Sequence, residues 1–402
     1  MLATQPTTFT TDGRGRYTRK RILHLTVEYP PIIHGGLGTA VGGLVQASAD
    51  AGIDVAVLLV GHEGHVGYGP RGPSDDPRPA TTEEPPVISV SWEQAVEAGA
   101  RLAAAWRPDV LHLHPFWLWP VARAIRERVG TPIVYTVHSL DRAEYEIGYG
   151  PPECLTQWDL QAESIAGADR IIALTHSERR LIEEYCPESA GRVRVVGNGI
   201  ADEPARGRLP RREAPVVLFS GRFVDRKGVR ELIAAIPDVL ANAPQTRFVL
   251  AGGHRHCTSA EMTRWWLPPE LERHRASVHF TGWLTPDELR HWYRAADILV
   301  VPSWYEPFGM VVLEGMLHGL AVAAADVGGP AEILDHDRTG LLFPARDVSA
   351  LGRNIARLAR DQPLRRRLAH AAAARVREHW LWPTIIAKVQ RVYHESEPAL
   401  AA

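Results

Sequence analysis

Val216-Val-Leu-Phe-Ser-Gly-Arg-Phe-Val-Asp-Arg-Lys-Gly228 decides the fold. It opens on a short apolar run, turns through glycine and charge, and leads into a helical pattern. Strand, tight turn and helix in that order build parallel sheets covered on both faces. Downstream, Thr246–Ala251, Ser277–Phe280, Ile298–Val301 and Ala321–Ala324 repeat the strand pattern. Upstream, a first block has strands at Arg21–Val27, Asp54–Val60, Val110–His114, Ile133–Val137 and Arg170–Leu174, with a helix over Thr39–Ala51. Two such blocks predict an α/β protein of two Rossmann-like domains. The expected boundaries are a disordered tail at 1–20, a first domain at 21–200, a linker at 201–215, a second domain at 216–380 and a final segment at 381–402, helical from Pro383 to Glu395.

A chain of 402 residues is long for one core, since cores split beyond ~250–300 residues. With 45% hydrophobic residues, 23% charged residues and a net charge of −2, nothing in the composition calls for nucleic acid or a membrane as partner. Cys154, Cys186 and Cys257 are scattered and form no CxxC pair, which suits a reducing cytoplasm. The tail has no apolar signal core, and no run of about 18 apolar residues predicts a membrane span.

Four motifs carry chemistry. In Ser220–Gly228, Arg222 and Lys227 frame a strand-to-helix turn, where a guanidinium fork and an ammonium suit one diphosphate. Arg226 and Arg230 read as solvated. In Glu306-Pro-Phe-Gly-Met-Val-Val-Leu-Glu314, two carboxylates flank a turn that leads into a helix, whose N-terminus favours an anion. Carboxylates on either side of such a site suit sugar hydroxyls; on spacing alone they are equally a loop and a helix carboxylate of no special role. Gly35-Gly-Leu-Gly38 joins a strand to a helix without dinucleotide spacing. In His112-Leu-His-Pro-Phe-Trp-Leu-Trp119, alternation puts His112 and His114 on one side, with His114 placed to face a cleft. Trp117 and Trp119 either stack on an acceptor or pack an interface, and His138 ends the neighbouring strand. Asp335-His-Asp337 reads as a helix-ending turn and His254-Arg-His-Cys257 as a loop, so no metal site is expected.

Taken in order, Gly-Gly-Leu-Gly, His-Leu-His, Asn198-Gly199, Gly-Arg-x4-Lys-Gly, Glu-x7-Glu and Gly340-Leu-Leu-Phe-Pro344 resemble the retaining glycosyltransferases of family four, including the glycogen and starch synthase-like branch. The resemblance runs from about Arg21 to Tyr393 and implies the GT-B architecture, with two Rossmann-like domains facing a central cleft. It implies an acceptor-side first domain, a second domain that binds the nucleotide sugar, and a last helix that crosses back. By that resemblance Gly35, Gly36, Gly38 and Gly221 lie at the donor, with the Gly36 N–H at the diphosphate. Arg222 and Lys227 neutralise the diphosphate, and Glu306 binds donor-sugar hydroxyls. Phe308, Gly309, Met310 and Val311 cap sugar and phosphate, Glu314 holds the ribose, and Trp283 and Leu284 border the base. His114 lies near the reacting carbon, with His138 and Trp117 on the acceptor side. The resemblance implies no cofactor and no metal; the partners are an NDP-sugar, UDP favoured, and a hydroxyl acceptor.

The expected activity is retaining transfer of a hexose or N-acetylhexosamine. Glycogen synthases have Lys-x-Gly-Gly-Leu, where this chain has Ile33, and His-x-His-Asp-Trp-His, where it has His112-Leu-His-Pro-Phe-Trp117. Both departures turn the expectation toward a small-molecule, lipid-linked or secondary-metabolite acceptor, the first and last favoured. The alternatives are a glucan synthase using ADP- or UDP-glucose, an NDP-sugar epimerase and a catalytically silent NDP-sugar-binding protein. Monomer and homodimer are both open.

Overall fold

The computed structural model describes residues 10–11, 17–18, 20–62, 85–149, 154–202, 214–253 and 257–396. Most of the tail, most of the linker, His254 to His256 and the centre of Gly61–Pro86, a stretch whose many Gly, Pro, Asp and Glu read as either an acceptor lid or a surface insertion, lie outside the described residues. Thr10–Thr11 and Tyr17–Thr18 pair as a small antiparallel ribbon.

The first sheet comprises β1 (Arg21–Thr26), β2 (Asp54–Val60), β3 (Val87–Val90), β4 (Val110–Leu113), β5 (Ile133–Val137), β6 (Arg170–Ala173) and β7 (Val193–Val195). Its strands are parallel and lie in the order β3-β2-β1-β4-β5-β6-β7. The second comprises β8 (Val216–Gly221), β9 (Arg247–Gly252), β10 (Val278–Gly282), β11 (Ile298–Val301), β12 (Ala321–Ala325) and β13 (Leu341–Phe343). It too is parallel, in the order β10-β9-β8-β11-β12-β13. Each order reverses beside the sheet's first strand, and open parallel sheets bind ligands outside the carboxyl ends at that reversal. The helices that shape the site are α1 (Gly36–Asp50), α2 (His176–Tyr185), α3 (Met310–Leu317) and α4 (Trp382–Glu395). Among the described residues no helix is long and apolar enough to cross a membrane.

Alternation along each strand feeds two layers. Leu23, Leu25, Leu58, Leu111 and Leu113 pack on one face of the first sheet. Ile22, Val57, Val110 and Val134 pack on the other, against Val41 and Val45 of α1 and Ile385, Ile386 and Val389 of α4. Each such side chain contributes about 1.5–3 kcal/mol on full burial. The last helix thus returns to the first domain. There Tyr393 is fully buried, its hydroxyl 2.7 Å from His112 Nδ1, and Lys20 Nζ donates to its carbonyl at 3.1 Å.

The domains meet through polar contacts. Helix α2 begins with backbone N–H groups that have no partner within the helix. Glu332 of the second domain takes those of His176 and Ser177 at 2.9 and 2.7 Å. The Tyr305 hydroxyl donates to Glu178 and accepts the N–H of Leu140 at 3.1 Å. Arg346 donates to the carbonyl of Ile147 and stacks 3.9 Å from the Trp304 ring centre.

Glu178 is buried in this junction. Burial pushes its carboxyl up to about 7; the Tyr305 hydrogen bond opposes that, and the Glu144 and Glu332 charges add to it. An acid held above its ordinary value of 4.5 stays protonated in the folded chain while the unfolded chain ionises. It therefore costs stability as pH rises from there to about 7, and the cost is constant above. Glu178→Gln keeps an acceptor for Tyr305 and removes that cost. Its unfolding free energy should exceed that of wild type by a margin that widens from about pH 5 to pH 7 and then levels, on the order of 1–3 kcal/mol, as read by denaturant titration at each pH. A margin that narrows over that range contradicts a protonated Glu178.

Candidate active site

Past β8, the chain makes a single 3-10 turn at Asp225–Lys227, closed by Lys227 N–H to Val224 and Gly228 N–H to Asp225. Trp304 donates its N–H to the Arg226 carbonyl at 2.8 Å, tying this turn to the loop before Glu306. Lys227 Nζ then donates to Glu306 Oε2 at 2.6 Å, and the Ser303 hydroxyl donates to the same oxygen at 3.0 Å. Burial alone would push the Glu306 carboxyl up; Lys227, Arg226 and Ser303 more than cancel this and hold it below the usual carboxylate range. Burial pulls the Lys227 ammonium down, and Glu306 only partly restores it. Arg222 is exposed just after Gly221. Arg226, expected to be solvated, is buried instead. It turns into the domain junction, 3.5 Å from Glu144 and with its guanidinium 5.5 Å from the Tyr149 ring centre.

The Glu306 loop is held from behind by close backbone packing. Gly329 donates its N–H to the Glu306 carbonyl at 2.8 Å, and a Cβ at Gly329 would lie 1.7 Å from the Phe308 carbonyl oxygen. Gly309, at φ 93°, turns the chain into α3 in the left-handed conformation glycine tolerates best. Met310 and Val311 are half-buried in the first turn of α3. Phe308 is buried and packs against Gly197 of the first domain, so its ring serves the junction. Glu314 accepts the hydroxyl of Tyr293 at 2.6 Å, and Tyr293 stacks on His318. Trp283 is 37% exposed at the end of β10, beside half-buried Leu284.

On the first domain, Glu28 Oε2 accepts the N–H groups of His34 and Gly38 at 2.9 and 3.2 Å. Gly38 is thereby engaged within the turn, while a Cβ at Gly35 or Gly36 would meet nothing within 4 Å. Behind this turn lie four imidazoles. His112 and His114 stack at 4.3 Å, on one side of their strand as alternation requires. His114, read from sequence as facing the cleft, is 1% exposed. It lies behind half-buried His138, with His114 Nδ1 3.3 Å from His138 Nε2. Trp119 is core, whereas Trp117 is 45% exposed with Nε1 3.4 Å from Gln157.

Tyr305 joins the two halves. It immediately precedes Glu306, and its hydroxyl holds the N–H of Leu140, two residues after His138. The structure thus brings the β5 loop to the Lys227–Glu306 pair. Sequence reading assigned no role to Tyr305, Glu178, Ser303, Tyr293, Glu28 and His24; Tyr305 and Ser303, close to the Glu306 motif, and Glu28, which opens the strand-to-helix turn ending at Gly38, carried a signal.

Residues 34–203 match the family model for Glycosyltransferase Family 4, and residues 214–361 match the model for glycosyl transferases group 1. A glycogen synthase of Mycobacterium tuberculosis is 29% identical over 405 residues, 93% of this chain and 94% of that one. A D-inositol 3-phosphate glycosyltransferase of Acidothermus cellulolyticus is 30% identical over 412 residues, 90% of this chain and 88% of that one. The solved sucrose-phosphate synthase of Thermosynechococcus elongatus superposes with a TM-score of 0.76 at 25% identity, covering 94% of this chain and 99% of that one. Two parallel-sheet domains meeting at this cleft, with relatives aligned along nearly their whole length, make the chain a member of the family-four glycosyltransferases of GT-B fold, akin to the glycogen synthases.

Proposed function

We propose that the chain transfers a hexose or N-acetylhexosamine from an NDP-sugar, UDP favoured, to a hydroxyl of a small acceptor with retention at the anomeric carbon. The carrying observation is the Lys227–Glu306 contact at 2.6 Å. It sets a cation for a diphosphate beside a carboxylate for sugar hydroxyls, at the start of α3. Arg222 joins Lys227 on the diphosphate, and the first-turn N–H groups of α3 add partial positive charge. Glu314 holds the ribose, Trp283 and Leu284 border the base, and Gly35 and Gly36 close over the donor from the first domain. His138 meets the sugar, with His114 behind it, and exposed Trp117 stacks on the acceptor. The acceptor oxygen bonds to the anomeric carbon as the bond to the diphosphate breaks. The acceptor proton passes to the departing diphosphate on the same face, so no strong protein base and no metal is required. Cations fixed where charge develops stabilise the transition state more than the ground state.

Support for a small acceptor comes from the two departures from the glucan-synthase pattern, Ile33 and Pro115-Phe116. The names of the inositol phosphate and sucrose-phosphate relatives point the same way. A reducing compartment, the cytoplasm, suits the free thiols Cys186 and Cys257.

UDP-, ADP- and GDP-sugars should be incubated with small polyols, sugar phosphates and glycogen, and released nucleoside diphosphate and product followed. Transfer releases diphosphate in step with a product of unchanged anomeric configuration. Conversion of the donor without release indicates an epimerase, and a melting shift alone indicates a binding protein. Lys227→Ala and Glu306→Gln should each lower kcat by about 10²-fold or more while the fold persists by circular dichroism. Near-normal turnover in both removes the site assignment. Glu314→Gln should raise the donor KM about tenfold and leave kcat nearly unchanged, as expected for binding shared by ground and transition states. A kcat loss at constant KM would place Glu314 in the chemistry instead.

A further inference from the structure

The four imidazoles behind the glycine turn are more ordered than a packed core requires. His24 Nδ1 lies 3.0 Å from His114 Nε2, and His114 Nδ1 lies 3.3 Å from His138 Nε2. The rings of His24 and His114 are within 9° of parallel. This is a chain of three imidazoles joined by two hydrogen bonds, running from the centre of the first sheet to the half-buried end of β5. His112 stands beside it, but both its nitrogens go elsewhere, to the hydroxyls of Thr136 and Tyr393 at 2.7 Å each.

Burial keeps these rings neutral. It pulls His24 down to about 3 and His138 to about 4; His114 lies well below its usual value through burial and then its neighbours His112, His24 and His138. A neutral imidazole carries one N–H. Three N–H groups and two ring-to-ring bonds leave only two arrangements without an ionised ring, and each fixes all three tautomers together. In one, His24 donates to His114, His114 donates to His138, and His138 keeps its hydrogen on Nδ1. In the other every bond is reversed, and His24 carries its hydrogen on Nε2.

His24 Nε2 decides between them. It is buried, with no hydrogen-bond partner among the described residues. A buried N–H without an acceptor is rarer and costlier than an under-used acceptor. The second arrangement would place such an N–H there; the first leaves only a lone pair.

We infer that His24 and His114 are positioning residues that lock His138 as the Nδ1–H tautomer, so that it meets the sugar as a hydrogen-bond donor. The role toward the sugar rests on the transferase reading above; the tautomer does not. A cavity of about 20 Å³ beside His112, His114 and His138 has room for about one water and does not reach His24. One ring nitrogen from each of His24, His112 and His114 falls within 4.8 Å of the others, a spacing that also suits a metal ion. An ion there would have to displace bonds already made, because both nitrogens of His112 and both of His114 are engaged.

The test uses the full chain labelled with ¹⁵N-histidine, with His138 assigned by the signal lost in His138→Gln. Its ¹⁵N–¹H correlations should show Nδ1–H in the absence of any donor. An Nε2–H pattern overturns the inference whatever the activity, as does one equivalent of zinc that survives dialysis and shifts the His24 signal. His24→Asn retains an amide donor where Nδ1 stood and should keep both the tautomer and kcat within about threefold, whereas His24→Leu should yield a mixed His138 tautomer and a kcat about tenfold lower at similar donor KM. Equal kcat in the folded Leu and Asn variants overturns the positioning role. If neither wild type nor variant transfers a sugar, the tautomer spectra still decide the lock, and only the transferase reading fails.

Discussion

The ion pair between Lys227 and Glu306 is the interaction around which the cleft is arranged. Two opposite charges at 2.6 Å, both largely withdrawn from water, carry a desolvation cost that only good geometry offsets. That geometry is supplied from several directions. Ser303 adds a hydrogen bond, the Trp304 N–H ties the loop to the Arg226 carbonyl, and Gly329 fastens the Glu306 carbonyl from behind. Tyr305, next in the chain, reaches across to Leu140 and Glu178. Placement of the carboxylate and docking of the domains thus share one four-residue stretch, Ser303 to Glu306. The pair itself lies within the second domain, and Tyr305 fastens its loop to the first.

Much of the fold was legible because parallel strands buried on both faces leave continuous apolar runs. The strands Asp54–Val60, Ile133–Val137 and Ile298–Val301 were readable to their end residues. Val87–Val90 and Val193–Val195, each interrupted by a polar residue, and Leu341–Phe343, only three residues long, were not, because so short a run stands out only when four or more apolar residues follow one another. Helix α1 starts at Gly36, three residues before its periodic pattern begins, since its glycines carry no hydrophobic signal.

The site divided along a similar line. Residues within one local motif, such as Glu306 with Gly309 or Arg222 with Lys227, could be read from their setting at a strand end or helix start. Partners far apart in sequence could not. Lys227 and Glu306 are 79 positions apart, Glu178 and Tyr305 are 127, and His24 and His114 are 90. Arg226 was misread for the same reason, because the surface that buries it belongs to the other domain. His114 was misread in depth though not in direction: alternation aims it correctly, but α4, which closes that face, arrives only at the end of the chain.

That late arrival has a consequence for how the protein is made. Synthesis is directional, and domains generally fold as they emerge, the first one earliest. Here the face of the first sheet that carries His112 is completed by Tyr393, 281 residues further on. While the second domain is being translated, the first presents Val41, Val45 and Val57 without the Ile385, Ile386 and Val389 that finally cover them. The nascent chain therefore carries an open apolar groove until α4 has left the ribosome, and the two domains mature together rather than in succession.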